Sequence, residues 1–230
     1  LKYVFNNCIY IYGNRDSLDL IFNLIEINDR DTIEIIDDIL INKELTHTDF
    51  GLLLNKIDIN NIIETRKLVD KYVRQDIRIA VAAKSDEFNR AVIESCKINF
   101  IYGFESENKK DRLKQRESGL NHILCALAKK NKIAIAFSFN EILKSKGVER
   151  AKIIGRMQQN IRLCRKYKVE IIIASFATNK YEMRSLNDLK SFARVIGMNP
   201  GEIKKAFSIV NEILNRKKEY IAEGIKILEE

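Results

Sequence analysis

Apolar residues along this chain fall into two alternating kinds of stretch. Short runs rich in β-branched and aromatic residues are apolar at successive positions: CIYIYG (8–13), LLLNK (52–56), IRIAVAA (77–83), INFIYGF (98–104), KIAIAFSF (132–139) and VEIIIASFA (169–177). Strands covered by helices on both sides show this pattern, and the longer amphipathic stretches between the runs supply those helices. With YVF at 3–5 and TIEII at 32–36 the runs number about eight, which predicts a TIM-like (β/α)8 barrel with an irregular or incomplete N-terminal part; counting alone leaves an open doubly wound sheet as the alternative. Helix signals are clearest late in the chain. Ser185 and Asp188 have capping-box spacing, the helix they begin is expected to stop near Gly197, and Asn199-Pro200 reads as the N-cap and first position of the next helix. In the helix expected over 147–167, Ala151, Ile154, Met157, Ile161 and Cys164 share one face, which leaves Arg150, Arg156, Arg162, Arg165 and Lys166 at or beyond its edges.

With 230 residues, 46% of them hydrophobic, the chain can bury a core as a single barrel domain over 1–230. No internal repeat and no Pro/Gly/Ser-rich linker divides it, and it contains a single proline. It starts at Leu1 rather than Met, so native residues are expected to precede it. No apolar run reaches the length of a membrane span and no signal peptide is legible, so a soluble, cytoplasmic protein without a membrane partner is expected. Cys8, Cys96, Cys125 and Cys164 stand far apart, as reduced cysteines used as small hydrophobes do in a reducing compartment.

The net charge of +8 is unevenly placed. Residues 1–75 carry 9 Lys and Arg against 13 Asp and Glu, net −4, while the remainder carries 31 against 19, net +12. Positive potential over the last two thirds would attract a polyanion, although a Lys- and Ile-rich composition can also place such charge on merely solvated faces.

Nucleotide-enzyme motifs are missing. Neither GxGxxG nor GxxxxGK[ST] occurs, which argues against a dinucleotide or P-loop site. His47 and His122 are the sole histidines, in no HxH or HExxH arrangement, so no metal site and no catalytic residue is assigned. The charged segment after INFIYGF is a better prospect, because in a barrel it leaves the C-terminal end of a strand. Lys109, Lys110, Arg112, Lys114 and Arg116 offer donors to phosphate oxygens there. His122 follows closely as a phosphate donor or, more blandly, a packing group. Arg90 after IRIAVAA, and Lys180 and Arg184 after VEIIIASFA, would reach the same rim. Such converging cations make an RNA-backbone platform with no cleavage site of its own. Phe88, Phe104, Phe176 and Tyr181 lie near these loops and are read as core or strand-end packing before base stacking.

The segments NRAVIE (89–94), RESGLNHIL (116–124), IAIAFSFNEIL (133–143), RMQQNIRLCRKYKVEIIIASFA (156–177) and KYEMRSLNDLKSFARVIGM (180–198), in this order, resemble the TIM-barrel protein subunit of ribonuclease P, protein component 3 of archaea, a family shared with eukaryotes. The resemblance covers residues 77–200 well and 51–76 loosely. It implies a noncatalytic barrel in the ribonucleoprotein that removes the 5′ leader from precursor tRNA. Mg²⁺ would be held by the RNA rather than by the protein. The implied partners are the ribonuclease P RNA, whose catalytic domain the subunit acts on together with a small RRM-like protein, and the other protein subunits. Carried over by position, Arg90, Arg116, the pair Arg165-Lys166, and Lys180 and Arg184 match basic residues of the family. Two places depart from it: Asn121 stands where the family usually has Asp, and the strand at Ala136 and Phe137 offers no acidic residue where the family often has one. The competing classes are a free-standing TIM-barrel phosphoesterase, for which the His-rich ligand set is missing, and a protein-interaction scaffold with incidental charge.

Overall fold

A computed structural model of the chain describes residues 8–12, 23–26, 52–74, 78–106, 111, 116–177, 180–182, 184–215, 220–222 and 225–226. Its main sheet has seven strands: β1 (Cys8–Tyr12), β2 (Asn23–Glu26), β3 (Leu52–Ile57), β4 (Arg78–Ala82), β5 (Phe100–Tyr102), β6 (Ala134–Ser138) and β7 (Ile171–Ala174), in the order β2-β1-β3-β4-β5-β6-β7. From β3 to β7 every neighbouring pair is parallel. Each connection in that run carries at least one helix: α1 (Ile62–Arg74), α2 (Asp86–Ser95), α3 (His122–Lys130), then α4 (Phe139–Lys144) followed by α5 (Gly147–Tyr167). After β7 come α6 (Leu186–Val195) and α7 (Pro200–Asn215), with a short antiparallel pair β8 (Tyr220–Ala222) and β9 (Ile225–Lys226) at the end. This strand-helix succession is the repeating unit expected from the hydrophobic pattern. The N-terminal irregularity is also present, since β1 pairs antiparallel with both β2 and β3. The expected strands at 3–5 and 32–36 lie outside the described residues.

The parallel strands are apolar because both faces are covered. Ile79, Ile101 and Ile135 are fully buried, and β6 is buried at every position, with Phe137 pointing into a core that also holds Phe100, Phe104, Leu124 and Met157. Each large apolar side chain closed off in this way contributes about 2–3 kcal/mol relative to exposure. Cys96, Cys125 and Cys164 are unpaired and buried among them.

Local signals begin and end the helices where expected. Ser185 accepts the Asp188 N–H while the Asp188 carboxylate accepts the Ser185 N–H, a complete capping box, and Gly197 follows α6 at φ 93°. Asn199 Oδ1 accepts from the Glu202 N–H at 2.8 Å, which places Pro200 at the first position of α7, where its missing N–H costs nothing. The expected face of α5 is buried at Met157, Ile161 and Cys164, but the buried side extends further round the helix than expected. Ala151 is exposed, whereas Arg156 is 5% exposed and buried together with Gly155 and Asn160.

Candidate nucleic-acid interface

In a parallel sheet the loops that leave the strand C-termini share one rim. Here adjacent rim loops are joined in order. Lys84, just beyond β4, pairs with Asp58, just beyond β3. Ser106, in a 3₁₀ turn (Phe104–Ser106) after β5, donates to Glu141 Oε2 of α4 at 2.7 Å. Asn140 Nδ2 donates to the Phe176 carbonyl beyond β7 at 3.0 Å, and Lys144 lies 3.8 Å from Glu182. Asn89 fixes the β4–α2 turn from inside: fully buried, its side chain accepts from the Lys84 N–H at 2.7 Å and donates to the Lys84 carbonyl at 2.9 Å.

The connection from β5 to α3 is held by one edge of α5. Arg156 Nη1 donates to the Glu105 carbonyl at 2.9 Å, while its Nε and Nη2 each reach Asp111 Oδ1 at 3.0 Å. Asp111 Oδ1 also accepts from the Glu117 N–H at 2.9 Å. Asn160 Nδ2 donates to Glu105 Oε1 and to the Ser118 carbonyl, at 2.8 and 2.9 Å. Gln159 Nε2 donates to the Arg116 carbonyl at 3.1 Å and to Ser118 Oγ at 3.0 Å. Residues 156, 159 and 160 present these groups on one side of the helix because they are spaced by three and four. Gly119 completes the passage at φ 74°, where a Cβ would lie 2.6 Å from the Phe104 carbonyl oxygen.

Glu105 is 1% exposed, and burial, reinforced by the nearby Glu141, pushes its carboxyl up to about 7 against the pull of Asn160 and Arg156. Asp111 moves the other way despite some desolvation, held down by the Glu117 amide and by the charges of Arg156 and Lys152.

The cations expected to bind RNA divide into several groups. Lys109, Lys110, Arg112 and Lys114 lie outside the described residues, as does the side chain of Lys180, whose backbone forms a 3₁₀ turn (Lys180–Glu182). Arg116 is exposed, its guanidinium resting on Gly155 of α5 with no acidic partner among the described residues. Arg184 Nη1 donates to the Tyr181 carbonyl at 2.9 Å, and its guanidinium carbon lies 5.2 Å from the Phe139 ring centre. Arg90 projects from α2 toward Glu94 at 3.7 Å. His122 is the exposed first residue of α3, behind the Asn121 cap, whose Oδ1 accepts from the Leu124 N–H at 2.9 Å. Arg165 and Lys166 are not brought to this rim. They end a helix of 21 residues, about 30 Å long, which runs back to the opposite edge of the sheet before β7. Arg165 is bonded there to the Glu202 carboxylate and to the Gly197 carbonyl, and Lys166 lies over the Tyr167 ring. Phe88 and Phe104 are buried core residues and Phe176 packs against Tyr102 at 4.9 Å, whereas Tyr181 is 80% exposed.

Sequence reasoning put Arg156 at the edge of its helix and did not single out Gln159, Asn160 or Asp111. The spacing of the three on 147–167 was visible, but a charged residue at a helix edge reads as solvated until its partner, here Asp111, 45 residues away, is known. Among the described residues no group of three or more His, Cys, Asp or Glu could hold a metal ion, and no helix is long and apolar enough to cross a membrane.

These features define an α/β protein built on a mostly parallel sheet, with a polar, cationic rim at its strand C-termini. Residues 55–221 match the family described as RNase P subunit p30, and the chain belongs to that family; it is a protein subunit of ribonuclease P, an enzyme complex that processes tRNA. Ribonuclease P protein component 3 of Methanococcus maripaludis (strain DSM 14266) is 30% identical over 181 residues, 76% of this chain and 74% of the relative. The protein of the same name from Methanococcus vannielii is 25% identical over 201 residues, 84% of each chain. A chain in the cryo-EM structure of archaeal ribonuclease P with mature tRNA shares the fold, with a TM-score of 0.66, 23% identity and coverage of 95% of this chain and 87% of that one. A prolidase crystal structure reaches a TM-score of 0.50 at 12% identity over 87% of this chain and 51% of its own, so the fold alone does not separate an RNA-complex subunit from a hydrolase.

Proposed function

We propose that the rim at the strand C-termini binds the ribonuclease P RNA, and that the protein is a noncatalytic support for an RNA active site that removes the 5′ leader from precursor tRNA. The observation that carries this reading is Arg116, an exposed guanidinium with no acidic partner among the described residues, on a loop held by three side chains of α5. An anchored cation of this kind suits a backbone phosphate, giving affinity and register with little sequence readout. Arg184 and Arg90, with Lys180 beside them in sequence and the basic segment 109–114, extend the platform. His122 adds a donor at its edge, and Tyr181 offers a ring on which a base can stack. Arg165 and Lys166 belong to a second, distant basic patch. The catalytic Mg²⁺ ions are held by the RNA, the protein carries no cofactor, and its partners are the RNA, the other protein subunits and, directly, a small RRM-like subunit, in the cytoplasm.

The test is cleavage of a precursor tRNA by the ribonuclease P RNA at limiting Mg²⁺, with this protein, with the small RRM-like subunit, and with both. Stimulation only when both are present is expected, with no cleavage by the protein in the absence of RNA. Hydrolysis by the protein alone would establish a phosphoesterase instead.

A further inference from the structure

A glycine in the ninth position of the 21-residue helix α5 is locally unfavourable, since glycine loses more backbone entropy in a helix interior than any other residue. Gly155 adopts ordinary helical backbone, so no unusual dihedral requires it. What it provides is space: a Cβ there would overlap Arg116 Nη1 and Cζ, and would lie 3.0 Å from Nε. The guanidinium covers the helix backbone at this point, and Gly155 is buried beneath it. The main chain of Arg116 is fixed separately through the Gln159 amide on its carbonyl, and Asp111, bound by Arg156, holds the N–H of the next residue, Glu117. Both ends of the Arg116 residue are therefore positioned by the same helix.

We propose that Gly155 is a seat for Arg116, a positioning residue that holds the guanidinium in a fixed place for a phosphate of the ribonuclease P RNA. This inference rests on the RNA-binding reading of the rim. A long, flexible cation loses much of its binding free energy to ordering its own rotamers, and a cation already laid on a backbone surface loses less. Over Gly155 the guanidinium meets helix backbone, and among the described residues no acidic side chain pairs with it.

Gly155→Ala separates position from fold. The displaced atoms are the far end of a flexible side chain, so the arginine swings away while alanine favours the helix. Affinity of the full chain for ribonuclease P RNA is measured between 0.05 and 0.4 M KCl for the parent, Arg116→Ala, Gly155→Ala and the double variant. Arg116→Ala is expected to weaken binding on the order of five- to tenfold at 0.1 M salt and to reduce the salt slope by about one. Gly155→Ala should reproduce most of that loss with an unchanged or higher thermal midpoint, and the double variant should bind no worse than Arg116→Ala alone. Gln159→Met releases the Arg116 carbonyl without adding a Cβ, and it should show the same non-additivity with Arg116→Ala. Parent-like binding by Gly155→Ala, or losses that add in the double variant, would overturn the seat while leaving the RNA reading intact. Unchanged binding by Arg116→Ala would instead overturn the RNA reading at this loop, and the seat with it.

Discussion

A carboxyl group shut away from water beside another carboxylate keeps its proton into the neutral range, and Glu105 is in that position. Its ordinary value of 4.5 rises to about 7, chiefly through desolvation. The unfolded chain therefore releases this proton near 4.5 and the folded protein near 7. Stability is complete at the acidic end of that window and falls as pH rises through it, by on the order of 3 kcal/mol. Asp111 and Glu202, whose carboxyls are lowered, act in the opposite sense, and their contribution is lost only below the unfolded carboxylate range. Urea unfolding at pH 5, 6, 7 and 8 isolates the first effect. The parent should lose stability from pH 5 to pH 7 and level off by pH 8, and Glu105→Gln, which cannot ionise and retains an acceptor for Asn160, should be flat and more stable than the parent at pH 8. A parent flat over the same range would mean that Glu105 ionises without penalty.

Elements were legible in the sequence where local chemistry decides them. The capping box at Ser185, the Asn199-Pro200 start and the buried β-branched strands needed no tertiary information, because each is specified within a few residues. NLIE at 23–26 was missed because it is short and polar at both ends, and its pairing is set by β1, a non-local contact. Arg156 was placed on the outside of its helix for a similar reason: periodicity reports apolar faces, while a buried ion pair is defined by a loop far away in sequence. Of the eleven cations and donors expected at the interface, Lys109, Lys110, Arg112 and Lys114 and the side chain of Lys180 lie outside the described residues, and Arg165-Lys166, the basic pair before β7, lie at the C-terminal end of α5, away from the rim. Position 121, where the resemblance implies Asp, has an element-scale reading. Asn121 caps α3 through its side-chain oxygen, a task that Asp performs as well and with a favourable charge at the helix N-terminus. Asn121→Asp is expected to leave precursor tRNA cleavage by the reconstituted enzyme unchanged and to stabilise the fold by about 0.3–1 kcal/mol, read from denaturant unfolding. A several-fold gain in cleavage would assign that carboxylate a role beyond the cap.

At the scale of the whole molecule, the charge asymmetry and the direction of α5 together say which cations can act in concert. The last 155 residues carry the positive excess, and the parallel topology separates the cations named above between the two ends of the strands. Arg116, Arg184 and Arg90 lie toward the strand C-termini, while Arg165 and Lys166 lie at the far end of a helix about 30 Å long. On the proposed RNA-binding reading, phosphates along one RNA strand engage the first group together. Arg165 is occupied with a different task, joining the end of α5 to the start of α7 through Glu202 and the Gly197 carbonyl. Counterion release makes these roles separable, because each phosphate contact contributes about 0.7–0.9 to the slope of log affinity against log salt, whereas an internal ion pair contributes nothing to it. Arg184→Ala should lower that slope by nearly one with little change in unfolding. Arg165→Ala should leave the slope unaltered and cost about 1 kcal/mol of stability, the range for a partly exposed bidentate pair. Equal slopes in the parent and Arg184→Ala, with a reduced slope in Arg165→Ala, would move the RNA to the opposite edge of the sheet and make the joined rim loops a scaffold for protein contacts instead.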